Sequence, residues 1–189
     1  MNKTIIGIDP GASGAVSFVS SKDKKVYPHK CHELIAGRRV TISMAVNAFK
    51  SNKTIAYIEK VHAMPHDGRS SLFKFGVNYG AWLGILHSNY KINKIVQVSP
   101  QKWMKFWENK IGEKLPKAKK YRKNKLKEIA SIYLDKPATL WNADSVLITM
   151  YGMYTEKGEN NEWTTTTNRR ICKAIGFFWQ NNTTMEWTW

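Results

Sequence analysis

Apolar positions along the chain fall into short runs, each closed by a small or charged residue. Residues 4–8 (Thr-Ile-Ile-Gly-Ile) are a continuous β-branched run and predict a buried strand. Asp9 follows, then Pro10, which cannot continue a central ladder, and Gly11, which supplies a turn. A second strand is expected over Ala15–Val19 and a weaker edge strand over Val26–Lys30. Short polar turns between the three predict an antiparallel meander. From Arg38 to Lys50, Ile42, Ala45, Val46 and Phe49 share one helical face. Thr54–Ile58 is another apolar strand, and it too ends in an acid, Glu59.

The segment Lys60–Arg69, with Pro65, Gly68, two histidines and cations, reads as a loop. A helix capped by Ser70 or Ser71 is expected next, with Leu72, Phe75, Tyr79, Trp82, Leu83 and Leu86 on one stripe. Gly76, Gly80 and Gly84 recur every four residues on it and suggest a flat groove against another helix or a sheet. Lys94–Val98 reads as a strand, and Ser99-Pro100 opens a helix carrying Trp103, Phe106 and Trp107. A further helix from about Lys119 places Leu126, Ile129, Ala130, Tyr133 and Leu134 together, with Pro137 marking its end. Asn142 is the expected N-cap of a last, largely apolar helix to about Tyr154, with Asp144 in its first turn. Beyond Gly158 the composition shifts to tryptophan, threonine and asparagine. We therefore expect one domain over residues 1–158 and an extension over 159–189.

Charge changes the picture most. Thirty Lys and Arg against fourteen Asp and Glu give a net charge of +16, which points to a polyanionic partner, nucleic acid before membrane. Between Lys110 and Lys127 stand Lys114, Lys117, Lys119, Lys120, Arg122, Lys123 and Lys125, against Glu113 alone. A solvated helix face mixes signs; this stretch reads as a contact for phosphates. No apolar run reaches membrane-spanning length, and no signal-peptide h-region stands at the start. Two cysteines, Cys31 and Cys172, suit a reducing cytoplasm. His29, Cys31, His32 and Glu33 lie close together, but without a second ligand pair they do not make a zinc spacing.

In so basic a chain, acids that end apolar strands invite a chemical reading. Asp9 alone reads equally well as a residue bonding its own turn, and Asp144 alone as a helix-dipole partner. If the first and fourth strands are neighbours and the late helix crosses them, Asp9, Glu59 and Asp144 converge. Three carboxylates then suit Mg²⁺, with Mn²⁺ as a substitute, and two-metal phosphodiester hydrolysis.

Several segments also resemble the RuvC family of Holliday-junction resolvases, with the nearest likeness to its bacteriophage members. They are Ile-Gly-Ile-Asp9-Pro-Gly, Ile58-Glu59-Lys-Val-His-Ala-Met-Pro, the Ser-Ser-Leu-Phe-Lys-Phe-Gly-Val-Asn-Tyr-Gly helix, Val98-Ser-Pro-Gln-Lys-Trp103 and Asn-Ala143-Asp144-Ser. The resemblance covers roughly residues 4–154. It implies an α/β, RNase H-like fold (a βββαβαβα mixed sheet flanked by helices). It further implies a homodimer through the helix Leu72–His87 and Mg²⁺-dependent nicking of four-way and other branched double-stranded DNA. Asp9, Glu59 and Asp144 fall on the family's catalytic, metal-binding acids. Lys60, His62, Arg69, Lys117, Lys119, Lys120, Arg122 and Lys123 are the expected DNA contacts, His62 holding the place of an aromatic that inserts at the junction. A phage protein of this kind would work in the bacterial host's cytoplasm.

One departure stands out. The family carries a further metal-site Asp or His three or four positions before the last acid, and Trp141 and Leu140 stand there. Asp135 would need the intervening loop to fold back. The alternative reading is therefore a junction-binding protein of the same fold that cleaves weakly or not at all. An actin-like ATPase or sugar kinase, which also opens on a strand and an Asp, lacks support: no second phosphate loop follows.

Overall fold

The structure is a computed structural model that describes residues 2–11, 13–22, 25–31, 34–49, 51–60 and 68–157. The expected extension 159–189, and with it Cys172, lies outside the described residues, as do His32, Glu33 and most of the loop after Glu59.

Five strands form one mixed sheet: β1 (Lys3–Ile8), β2 (Ala15–Ser20), β3 (Val26–Lys30), β4 (Lys53–Glu59) and β5 (Ile92–Val98), in the order β3-β2-β1-β4-β5. β1, β2 and β3 form the antiparallel meander, with β3 at the edge; β4 runs parallel to β1 and β5 parallel to β4. Helices α1 (Ile35–Ala48) and α2 (Arg69–His87) separate these parallel strands in sequence. Three helices follow: α3 (Pro100–Ile111), α4 (Lys119–Ser131) and α5 (Ala143–Lys157).

Strand alternation splits the core into two layers. Ile6, Ile8, Ala56 and Ile58 face α1 and α2, where Ile42, Ala45, Trp82 and Leu86 are buried. Ile5, Ile55 and Tyr57 face the other side, packed with Trp103 and Trp107 of α3, Leu126 and Ile129 of α4, and Val146, Leu147 and Met150 of α5. Trp107 Nε1 donates to Leu147 O (3.2 Å), tying α3 to α5.

α5 lies directly on the sheet because β1 offers no side chain at Gly7. A Cβ there would run into Thr149 and lie 2.7 Å from Ser145 O. Polar contacts fix the same approach: Ser17 and Ser145 share a 2.7 Å hydroxyl contact, and Thr149 Oγ1 donates to Ser17 O (3.1 Å).

Several expected boundaries move. α1 begins three residues before Arg38 and ends before Phe49. α2 is entered from Gly68, so Ser70 and Ser71 sit inside its first turn and neither caps it. α4 ends at Ser131; Tyr133 is still buried, but beyond the helix and well before Pro137. Ser99 does cap α3, its hydroxyl accepting from Lys102 N (3.3 Å). Asn142 precedes α5 and its carbonyl accepts from Val146 N, but its side chain turns back to accept from Thr139 N (2.8 Å). The glycine groove expected on α2 faces neither the sheet nor another described helix: among the described residues, a Cβ at Gly76, Gly80 or Gly84 would meet nothing within 4 Å.

Candidate active site

Asp9 and Glu59 are brought together by strand register. β1 and β4 pair in parallel with a constant offset, Gly7 opposite Tyr57 and Ile8 opposite Ile58. The next step of that register sets Asp9 opposite Glu59. Alternation then decides which way they point. Asp9 shares the parity of Ile5 and Gly7, and Glu59 that of Ile55 and Tyr57, so both turn to the α5 side. Asp144, in the first turn of α5, lies near enough to both for its charge to raise their pKa values.

Local bonds hold each acid. The Asp9 N–H donates to Ala15 O (3.0 Å), and its Oδ1 accepts from Gly11 N–H (3.0 Å). Gly14 lies beneath it so closely that a Cβ there would run into the Asp9 carbonyl. Asn78 of α2 donates its side-chain amide to Pro10 O, and so ties the helix to the turn after Asp9. Glu59 Oε1 accepts from Trp103 Nε1 (3.0 Å), which links strand β4 to α3. Asp144 Oδ2 is ion-paired with Lys123 of α4, while its Oδ1 is buried with no hydrogen-bond partner among the described residues.

The electrostatics follow from this crowding. Burial raises the pKa of Asp9; the Gly11 N–H opposes the rise, Asp144 adds to it and Lys123 offsets it. Burial pushes Glu59 up to about 7, helped by Asp9 and Asp144 and opposed by Trp103 and Lys123. Burial alone would lower Lys123, but the pull of Asp144, with Asp9 and Glu59 behind it, leaves its pKa raised. Beside the cluster, burial and then Asp9 push the Cys31 thiol up to about 12, so it is a neutral neighbour; its Sγ lies 3.6 Å from Asp9 O.

Each of the three acids offers oxygen donors, the kind that hard divalent ions take, and the buried Asp144 Oδ1, without a partner among the described residues, also fits a cation. As they stand, no three His, Cys, Asp or Glu side chains among the described residues are grouped so as to hold a metal. The cation within the cluster is the Lys123 ammonium. Leu140, at one of the two expected fourth-acid positions, is 60% exposed, and Trp141 is half-buried. Asp135 pairs with Lys25 instead of folding back to the site.

The expected DNA contacts separate in space. Lys60 follows β4, exposed, with its N–H donating to Val98 O (2.7 Å). Arg69 is exposed at the start of α2, and His62 lies outside the described residues. Lys117, Lys119 and Lys120 are exposed at the entrance to α4. Arg122 is half-buried, donating from Nη1 to Lys117 O (2.8 Å), and with Lys117, Lys102 and Lys105 it lines an open groove of about 690 Å³. Lys123, of this set, pairs with Asp144 of the acid cluster. The sequence grouped Lys123 with the phosphate contacts; the signal that could have set it apart is its helical spacing from Leu126 and Ala130, which are buried in α4. Trp103 and Asn78 had no such signal: nothing in a sequence pattern says which tryptophan or asparagine will meet which strand end.

No family model matches the chain, and no curated protein does. Solved structures do. T. thermophilus RuvC in complex with Holliday junction substrate aligns at a TM-score of 0.52 and 12% identity, over 82% of this chain and 96% of that one. A second Thermus thermophilus RuvC structure aligns at a TM-score of 0.47 and 15% identity, over 81% and 95%. The fold is RNase H-like. At 12% identity the likeness to the first of these speaks for the arrangement of strands and helices, and it agrees with the α/β class expected from the strand and helix pattern.

Proposed function

We propose that this protein is a structure-selective DNA endonuclease that resolves four-way and other branched DNA junctions by divalent-ion-dependent phosphodiester hydrolysis. The observation that carries the reading is the meeting of Asp9, Glu59 and Asp144, from three separate elements, at the carboxyl end of β1 and β4, beside the cationic entrance to α4. The RNase H-like fold, which this chain has in common with a protein solved on a Holliday junction, supports it by analogy.

The chain's own residues divide the work. Lys117, Lys119 and Lys120 stand where a phosphate backbone could lie, and the exposed Lys60 and Arg69 flank the loop after Glu59. Asp9, Asp144 and Glu59 would be the residues that hold Mg²⁺ or Mn²⁺. When bound, the ion supplies the charge that activates water and stabilises the departing oxygen. Trp103 orients Glu59, and Gly11 and Asn78 keep the Asp9 turn in place. A homodimer through α2 would set two such sites on one junction; the outward Gly76, Gly80 and Gly84 leave room for a second helix. Residues 1–158 would form the nuclease domain and 159–189 an extension to it.

A second reading is a junction-binding protein of the same fold with little or no cleavage. The side chains at 140 and 141, neither able to ligate a metal, favour it.

Incubation with an end-labelled four-way junction and with a linear duplex of the same sequence, in Mg²⁺ or Mn²⁺, separates the two. Paired nicks confined to the junction support the endonuclease. Tight junction binding without nicks in either metal leaves the binding protein. Leu140→Asp or Trp141→Asp is then the follow-up, and a gain in nicking would show that ligand number limits the enzyme.

A further inference from the structure

The turn between α2 and β5 lies away from the acid site and presents an aromatic ring to solvent. Tyr90 is 89% exposed, the most exposed large apolar or aromatic side chain among the described residues. Its backbone is nonetheless held. Ile92 N donates to Asn89 O (3.0 Å), closing a four-residue turn with Tyr90 and Lys91 at its tip, and Lys91 N donates to Asn89 Oδ1 (3.1 Å). Lys91 Nζ donates to Asn47 Oδ1 of α1 (2.6 Å) and lies 6.0 Å from the centre of the Tyr90 ring. Tyr90 and Lys91 line two open grooves of about 450 Å³ each, both large enough for a nucleotide-sized group. One passes Arg39 of α1, and the other passes Thr54 at the start of β4. No Asp or Glu among the described residues lines either groove. Thr54 and Glu59 stand near opposite ends of β4, about 17 Å apart along the strand, so this place and the acids lie at opposite ends of the sheet.

We propose that Tyr90 and the two grooves form a binding site for single-stranded DNA, with an unpaired base stacked on the Tyr90 ring and its phosphates at Lys91 and Arg39. The choice of DNA over RNA rests on the nuclease reading above; the stacking site itself does not. An aromatic held out on a bonded turn offers a face on which any base stacks, without first having to be ordered. A base inside a duplex has both faces covered, so the ligand is a strand with unpaired bases. Two cations in an acid-free lining match a phosphodiester chain. The end of α2 does not oppose the phosphates, because the carbonyls of Gly84, Ile85 and Leu86 already accept from Ser88 N–H, the Ser88 hydroxyl and Asn89 N–H.

A strand of about twelve thymidines, one replaced by iododeoxyuridine, tests this with the full-length protein in chelator, so that no strand is cut. Irradiation should form an adduct that mass spectrometry places on Tyr90, and annealing the strand to its complement should abolish it. By fluorescence anisotropy, Tyr90→Ala should bind the single strand at least fivefold more weakly, and Tyr90→Phe within twofold of wild type. The Tyr90 side chain belongs to neither buried cluster, so Tyr90→Ala leaves the core intact. Arg39→Ala with Lys91→Ala should lower the slope of log binding constant against log salt by about 0.7 for each cation. Adducts confined to other residues, a Tyr90 adduct that persists in the duplex, or a Tyr90→Ala protein that binds like wild type would each overturn the proposal. So would a change in the sedimentation of Tyr90→Ala without loss of affinity, which would make the turn a contact between copies of the chain. A uridine strand bound tenfold more tightly than the thymidine strand would overturn the choice of DNA. The nuclease reading is tested separately by nicking, which this experiment does not measure.

Discussion

At the end of β4, Glu59 gives up water and gains Asp9 as a neighbour, and its pKa rises from the ordinary 4.5 to about 7. The sign of the consequence is fixed. Below about 4.5 the carboxyl is protonated in the folded and unfolded chains alike, and its full contribution to stability is present. Between about 4.5 and about 7 the folded chain keeps a proton that the unfolded chain has lost, so stability falls as pH rises. Asp9, raised for the same reason, acts in the same direction. In chelator, wild-type melting temperature should therefore drop across this window more steeply than that of Glu59→Gln. Parallel curves would contradict the burial of Glu59. Trp103→Phe removes a donor that favours the carboxylate and should move the midpoint higher still, visible as a shift to higher pH in Mn²⁺ binding. At this scale Asp9 and Glu59 stood out in the sequence, because each ends an apolar run, whereas Asp144 opens a helix. Their partners did not: Trp103 meets Glu59 and Asn78 meets Pro10 only once helices have docked on strands.

Between elements, glycine decides how close α5 can come. Gly7 in a strand reads as a weak spot in sequence; in the fold it is the gap into which Thr149 and Ser145 press. Gly7→Ala should cost about 1–3 kcal/mol by overpacking, measured by chemical denaturation, and should weaken Mn²⁺ binding because α5 carries Asp144. An unperturbed Gly7→Ala protein would mean that α5 packs elsewhere. The α2 glycines are the opposite case, open on the surface beside Phe73 and Val77, which are 74% and 56% exposed. Leucine is a good helix former, so Gly80→Leu should not weaken α2 itself. If α2 is the dimer contact, sedimentation should show dimerisation weakened at least tenfold; an unchanged distribution would remove α2 from the interface. The stripe was visible in the sequence, but whether it met the sheet or left the molecule was not, since both call for small side chains. Helix starts were less legible than strand ends. The strands closed on Asp9 and Glu59 because alternation and apolar runs stop there, whereas α1 and α2 begin without any side-chain cap to mark them.

Over the whole molecule, the +16 charge forecasts a polyanion without saying which cations meet it. The fold sorts them. Lys125 pairs with Glu113 (2.9 Å), Lys94 with Glu156 (2.9 Å), and Lys123 with Asp144, whereas Lys119 and Lys120 remain exposed at the head of α4. Lys119→Ala with Lys120→Ala should lower the slope of log binding constant against log salt by about 2, close to one for each lost phosphate contact. An unchanged slope would exclude the head of α4 as a backbone contact. No helix among the described residues is long and apolar enough to cross a membrane. The charge and the sheet order together leave the convergent acids as the centre of the account. Its most direct test is nicking of a labelled four-way junction in Mn²⁺ by wild type and by Asp9→Asn. Wild type should give paired, metal-dependent nicks, Asp9→Asn should lose at least a hundredfold, and both should retain junction binding. Equal nicking by the two proteins would contradict the account.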